Sequence, residues 1–214
     1  MIKNLKKAAM FGLDARIALA IFGALSVISG AALYSAIQSA KATQAAVTFD
    51  NVEKAITQYM LDTGSNLAEY QTTDVTMYAG DLFKEPSGVT NWQGPYIGTN
   101  SSSRMFLELP ITGNSSIDGT WRIRRYGADD RNTGITGTDP CSAGDCVMYI
   151  FSAASTTTPE TYAALKALAD SLENTIDGND GDGQGRVRRL VAGTTISFFY
   201  KLNMPEFRYL ARNP

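Results

Sequence analysis

One short segment, residues 177–185, carries the side chains best suited to hold an ion. It reads Asp-Gly-Asn-Asp-Gly-Asp-Gly-Gln-Gly, with three carboxylates and two amides among four glycines. Hard cations such as calcium prefer oxygen ligands on a backbone that turns sharply. The segment predicts a calcium site with the ligands Asp177, Asn179, Asp180 and Asp182. No acid stands where a closing bidentate ligand would fall, and we slightly favour the other interpretation, a solvated loop that ends a helix at Ile176 and holds no cofactor.

Two arginine runs are the other charged feature, and both lie on predicted strands. They read Arg122-Ile123-Arg124-Arg125 and Arg186-Val187-Arg188-Arg189. If these strands paired, alternation would align Arg122, Arg124, Arg186 and Arg188 in one stripe that could bind DNA phosphates. The simpler expectation, which we favour, is salt bridges within or between subunits with Asp129, Asp130 and the acids of residues 177–182.

The composition argues against an enzyme. The 214 residues include no histidine and two cysteines, which excludes Ser-His and Cys-His catalysis and a Cys/His zinc site. The hydrophobic content of 44%, the charged content of 19% and the net charge of -2 are those of a globular chain, not of a disordered or strongly basic one.

An apolar segment near the amino terminus, residues 17–37, is expected to place the rest of the chain relative to a membrane. Residues 17–37 contain no charge, and 21 residues of helix span about 30 Å, the hydrocarbon thickness of a bilayer. Lys3, Lys6, Lys7 and Arg16 precede it, so we expect the amino terminus inside and the head exported.

Several interpretations of this segment compete. Ser29-Gly30-Ala31 offers a signal-peptidase site, but the apolar run is longer than a usual signal core. A plain signal anchor and a buried core helix are the other ordinary explanations. None of these three interpretations explains Asp14. An acid at the edge of a membrane span is costly and therefore indicates a function, which favours a further interpretation of the segment.

The amino terminus resembles that of type IV pilins and of the pseudopilins of type II secretion. That family has a short basic leader, a cleavage site, and an apolar helix with an acid at its fifth mature residue and commonly glycine at its fourteenth. Counting back from Gly23 places the first mature residue at Met10 and the acid at Asp14, with cleavage after Ala9.

The resemblance implies a fold and an assembly mechanism. The fold is α+β, with a long amino-terminal helix packed on an antiparallel β-sheet head. A prepilin peptidase would remove residues 1–9, Met10 would be N-methylated, and inner-membrane machinery would polymerise the chain with copies of itself. The Met10 amine of one subunit would pair with Asp14 of a neighbour, which offsets desolvation and sets the axial register. The major pseudopilins also carry calcium in their heads.

The pattern beyond the apolar run predicts one continuous helix and one head. Phe49, Val52, Ile56 and Tyr59 recur at helical spacing, and the helix over residues 10–62 should end at Asp62-Thr63-Gly64. Residues 65–214 form the exported head. We expect strands at residues 105–109, 120–126, 147–153, 186–191 and 194–202, and a helix opened by Thr158 and Pro159.

The two cysteines, Cys141 and Cys146, are predicted to form a local disulfide, because the head is expected to be exported. Closing so small a loop contributes little stability through chain entropy. The role of the bond would therefore be to set the shape of the loop.

These features predict a structural subunit of a type IV pilus-like filament. The precursor would lie in the inner membrane with its head in the periplasm, and the mature subunit in a filament at the cell surface. The alternatives are a pseudopilin of type II secretion, a minor pilin and, from another class, a signal-anchored periplasmic binding domain.

Overall fold

The computed structural model describes residues 3–70, 75–99, 101–127, 145–204 and 207–208. The chain forms two compact units, residues 1–40 and 41–214, which are described separately below. Helix α1, Lys3–Thr63, contributes to both of them.

The first unit consists of the apolar part of α1. All side chains from Gly12 to Ile37 are exposed. The most apolar stretch of 18 residues has a mean hydropathy of 2.1, and none of it is buried within the chain. By length and composition this helix can cross a membrane.

The second unit is built on the remaining part of α1. One stripe of this helix is buried in the head at helical spacing: Ala42, Ala45, Phe49, Val52, Ile56 and Tyr59. The Phe49 ring lies 5.3 Å from the Trp121 ring and 4.7 Å from the Tyr200 ring, measured between centroids. The helix ends at Thr63 as predicted, and Gly64 follows with a φ of +64°, a conformation that favours glycine.

An antiparallel sheet packs on this stripe, which confirms the predicted α+β fold. Its strands are β1 Thr76–Met77, β2 Arg122–Gly127, β3 Asp145–Ser155, β4 Val187–Ala192, β5 Thr195–Lys201 and β6 Phe207–Arg208. The order is β1-β2-β3-β5-β4, and β6 pairs with the start of β3. Alternate residues face α1, such as Ile123 on β2, Ile150 on β3 and Phe198 on β5.

Helical segments cover the remaining core. They are α2 Ser115–Asp118, α3 Pro159–Leu172, a 3₁₀ turn at Ala79–Leu82 and a π-helical turn at Glu173–Asp177 that continues α3. Helix α3 begins at Pro159 as predicted and buries Leu165, Leu168 and Leu172.

The strand predicted at residues 105–109 is wrong. Only one isolated bridge forms there, between Leu107 and Trp121, with the Leu107 amide donating to the Trp121 carbonyl over 2.8 Å. Helix α2 lies between the two segments and its Asp118 carbonyl accepts from the Leu109 amide, so the pairing does not extend into a ladder.

The basic stripe expected from a pairing of β2 with β4 is also wrong, because β3 and β5 lie between them. Arg122, Arg124 and Arg188 share the sheet face that points away from α1. Arg186 turns instead to the helix: its Nη2 atom lies 3.0 Å from Oδ1 of Asp50 and 3.5 Å from Oε2 of Glu53.

Candidate functional site

The apolar part of α1 is the first candidate surface. Leu19, Phe22 and Val27 are each exposed by 70% or more in the isolated chain. So continuous an apolar surface requires a bilayer or neighbouring helices to cover it. This part of α1 therefore suits membrane insertion and packing between subunits.

The residues predicted for processing and assembly lie at the start of this helix. Ala9 and Met10 lie within α1, and Asp14 follows one turn later. The side chains of Asp14 and Arg16 are both exposed. Among the side chains that the structure describes, Asp14 forms no ion pair with a cation.

The acidic segment of the head is the second candidate site. One carboxylate oxygen from each of three residues, Glu173, Asp177 and Asp180, lies within 4.8 Å of the others. Glu173 was not predicted, although it lies four residues before Asp177, a spacing that places two helical residues on the same face. Its Oε1 atom accepts a 3.0 Å hydrogen bond from the Gly181 amide. Burial, followed by the charges of Asp177 and Asp180, raises the pKa of Glu173.

Two of the four predicted calcium ligands contact other side chains. Asp182 forms an ion pair with Arg189, with Oδ1 2.6 Å from Nη2. The side-chain amide of Asn179 donates through Nδ2 to Oδ1 of Asn174 over 3.1 Å. Asp177 and Asp180 are brought together with Glu173, and these three carboxylates fit a hard cation by their chemistry. The donor set supported by the geometry is thus Glu173, Asp177 and Asp180.

The backbone of the segment is shaped around Asp177. Oδ2 of Asp177 accepts a 2.7 Å hydrogen bond from the Val187 amide. Gly185 has a φ of +67°, and a Cβ atom added there would overlap the Asp177 carboxylate. Both the positive φ and the closeness of the Asp177 carboxylate favour glycine at this position.

Salt bridges hold this segment against the sheet. Arg189 binds Asp170 as well as Asp182, and Asp170 also binds Lys166 at 2.6 Å. Burial raises the pKa of Asp170, but the hydrogen bonds and charges of Lys166 and Arg189 outweigh it and lower the pKa overall. The expected pairing of the second arginine run with the acidic segment is therefore present at Arg189, whereas Asp129 and Asp130 lie outside the described residues.

The predicted disulfide lies at the edge of the described chain. Cys146, the second residue of β3, is disulfide-bonded. Cys141, its predicted partner, lies outside the described residues.

Comparison with known families supplies the class of protein. Residues 32–139, half of the chain, match the model of the family described as type II secretion system (T2SS), protein G. The chain belongs to this pseudopilin family. The matched range contains the head-facing part of α1 and the strands β1 and β2. No curated protein and no solved structure matches the chain.

Family membership refines the sequence predictions. The pilin and pseudopilin class is confirmed, and the pseudopilin alternative fits better than the pilus subunit that we predicted first. This is a family of structural proteins that assemble with secretion machinery, and the apolar helix fits a membrane-anchored precursor. The acidic segment at residues 177–185 lies beyond the matched range.

Proposed function

We propose that this protein is a pseudopilin that polymerises through α1 into the filament of a type II secretion system. The precursor is held in the inner membrane by residues 17–37, with its head in the periplasm. The observation that carries the proposal is the exposed apolar surface from Gly12 to Ile37 on the helix of a chain in this family.

The charge at Asp14 supports a role in assembly. A carboxylate at the end of an apolar helix is costly when it enters a helix bundle, unless a cation accompanies it. After cleavage between Ala9 and Met10, the new amine of Met10 supplies that cation in a neighbouring subunit. The pair then sets the axial offset between successive copies.

The test compares Asp14→Ala with Asp14→Glu in cells that carry the whole secretion machinery. Asp14→Ala should remain in the membrane fraction but fail to assemble, whereas Asp14→Glu keeps the charge and should retain filaments. Filament yield after shearing, relative to the membrane-bound pool, is the measurement. A normal yield for Asp14→Ala would overturn the proposed role.

Sequencing the mature amino terminus tests the class of protein. A start at N-methylated Met10 supports a processed pseudopilin. A start near Ala32 supports a secreted binding domain, and an intact Met1 supports a plain membrane anchor.

The calcium implied by the family resemblance would be held by Glu173, Asp177 and Asp180. The ion would neutralise three converging carboxylates and join the end of α3 to the segment before β4. Its role here is structural, because it would fix the shape of a surface segment of the head.

A further inference from the structure

A groove runs along α1 within the head. One wall is the exposed face of α1 on which Asn51, Lys54 and Gln58 recur at helical spacing. Residues 95–99 and 108–110 form the other wall. The groove has a volume of about 690 Å³, the size of a pocket that receives a ligand or several side chains. We call it the α1 groove.

The loop wall of the α1 groove is held in place by contacts within the head. The Tyr96 ring lies 5.8 Å from the Tyr59 ring on α1, measured between centroids. The Thr99 hydroxyl donates to the Glu108 carbonyl over 2.8 Å and so joins the two loop segments. The groove is therefore preformed, and a partner that binds it has little ordering to offset.

The α1 groove has an apolar floor between two charges. Ala55 and Leu109 line it and are 4% and 3% exposed. Lys54 lies on the α1 wall and Glu108 on the loop wall, and both side chains are exposed. A matching partner has short apolar side chains flanked by a carboxylate and a cation.

The exposed face of α3 meets this description. Glu160, Ala163 and Ala167 lie on one side of the helix at spacings of three and four residues, and all three are exposed. Lys166, three residues after Ala163, is exposed on the adjoining side. Short alanine side chains allow a helix to approach its partner closely.

The charges of α3 can be met in the α1 groove. Glu160 has the sign that complements Lys54, and Lys166 has the sign that complements Glu108. Nζ of Lys166 already lies 2.6 Å from Oδ2 of Asp170, but an ammonium group has three donors. Lys166 can therefore keep Asp170 and bind a second carboxylate.

The α1 groove and α3 occupy different regions of the head. Leu107, next to the loop wall, bridges to Trp121 just before β2, whereas α3 packs on β3, β4 and β5. In the strand order, β2 lies near one edge and β4 is the other edge. A contact that joins two different surfaces is heterologous and can repeat from copy to copy along a filament.

The α1 groove also lies on the helix that carries the proposed assembly surface. Helix α1 includes both the apolar stretch at residues 12–37 and the groove wall at residues 48–58. A copy bound to the apolar stretch is present at a high effective concentration along this helix. Among molecules that could fill the groove, this favours a second copy of the chain.

We propose that α3 of one copy docks in the α1 groove of a second copy, with Glu160 against Lys54 and Lys166 against Glu108. This inference rests on the proposed function, because it places the contact in the same filament. It gives the heads a contact of their own, in addition to the packing of the apolar helices.

Charge reversal tests the contact in full-length chains. Lys54→Glu should lower filament yield about tenfold, because an attraction becomes a repulsion. Lys54→Glu combined with Glu160→Lys restores opposite signs at every contact and should restore the yield. A purely structural role of Lys54 gives no such rescue, so a folded double variant that fails to assemble would overturn the proposal.

Lys84→Glu is the matched control. Lys84 is an exposed lysine outside both surfaces, and its reversal should leave the filament yield unchanged. Thermal unfolding of each purified variant shows whether the head is folded. A folded Lys54→Glu variant that assembles as well as the wild type would contradict the contact, and so would an equal loss of yield for Lys84→Glu.

Cross-linking between copies provides an independent test. Cells would produce two kinds of copy together, one with Lys54→Arg and the other with Glu160→Gln. A carbodiimide joins a carboxylate to a lysine amine as an amide, so a link from Lys54 to Glu160 can form only between copies. We expect the linked peptide in sheared filaments, and filaments without it would overturn the proposal.

The outcomes separate this contact from the proposed function. If the wild-type chain forms no filament, the proposed function fails. If it assembles and a folded Lys54→Glu variant assembles equally well, only the docking of α3 fails. Normal filaments that no longer support secretion in that variant would instead assign the α1 groove to another component of the machinery, and would likewise overturn the proposal.

Discussion

Arg104 binds Asp81 through two parallel hydrogen bonds and thereby closes the loop-rich part of the head. Nε of Arg104 lies 2.5 Å from Oδ1 of Asp81, and Nη2 lies 2.9 Å from Oδ2. The Asp81 side chain is 1% exposed, and the Arg104 guanidinium stacks 4.0 Å from the centre of the Tyr78 ring. The backbone carbonyl of Asp81 also accepts from Nε1 of Trp92 over 2.9 Å. One residue thus joins three segments of the loop region.

Removal of Arg104 should therefore destabilise the head. Burial raises the pKa of Asp81, and the two bonds to Arg104 oppose this effect. Arg104→Ala leaves a buried carboxylate unpaired and should lower the free energy of unfolding by about 3 kcal/mol. The double variant Asp81→Asn, Arg104→Ala should lose less free energy of unfolding than Arg104→Ala alone, because no buried charge is left unpaired. Denaturant unfolding of the three chains measures this order, and equal losses would contradict the buried charge as the cause.

Tyr200 should make the stability of the head sensitive to alkaline pH. Burial raises the pKa of Tyr200 to about 12. The folded state then holds the proton more tightly than the unfolded state, in which tyrosine titrates near pH 10. The stability that this raised pKa contributes to the head is fully present below about pH 10 and is lost as the pH rises towards 12.

Tyr200→Phe provides the measurement. The Tyr200 hydroxyl is buried and has no hydrogen-bond partner among the described residues, so its removal should cost little at pH 7. Between pH 10 and 12 the variant should lose less stability than the wild type. Tyr70→Phe, at an exposed tyrosine, serves as the control. Parallel pH profiles for Tyr200→Phe and the wild type would exclude this group as the titrating one.

Calcium should raise the melting temperature of the protein. Three converging carboxylates repel one another, and a divalent ion removes that repulsion while it gains oxygen ligands. Glu173→Gln and Asp180→Asn should each weaken the response. Asp182→Asn should change it less, because Asp182 binds Arg189. A melting temperature that neither calcium nor a chelator changes would reject the site.

Cys146 and Cys141 should be joined in exported protein. Intact mass under non-reducing conditions should be two hydrogens below that of the reduced chain, and alkylation should label no thiol. The double substitution to serine should change overall stability little, since the closed loop is short. Free thiols in the exported protein would remove this prediction.

The local elements were predictable from sequence because each depends on residues close in the chain. The spacing of Phe49, Val52 and Ile56 marks a helix with one buried stripe, and Gly64 marks its end. Alternation marked β2, β3, β4 and β5, and Thr158 with Pro159 marked the start of α3. Strand β1, with two residues, is too short to carry a periodic pattern.

The apolar run, Asp14 and Gly23 determined the class of protein from sequence alone, because membrane insertion and the amino-terminal motif depend on linear order. Tertiary structure decided which strands are neighbours and which charges meet. Arg186 forms an ion pair with Asp50 on α1, and Arg189 forms one with Asp182. Glu173 lies beside Asp177 and Asp180. Asp81 and Arg104 lie 23 residues apart, and Arg186 and Asp50 lie 136 apart. Periodicity shows which face of an element is buried, but only the packing of these elements on one another brings such distant side chains within bonding distance.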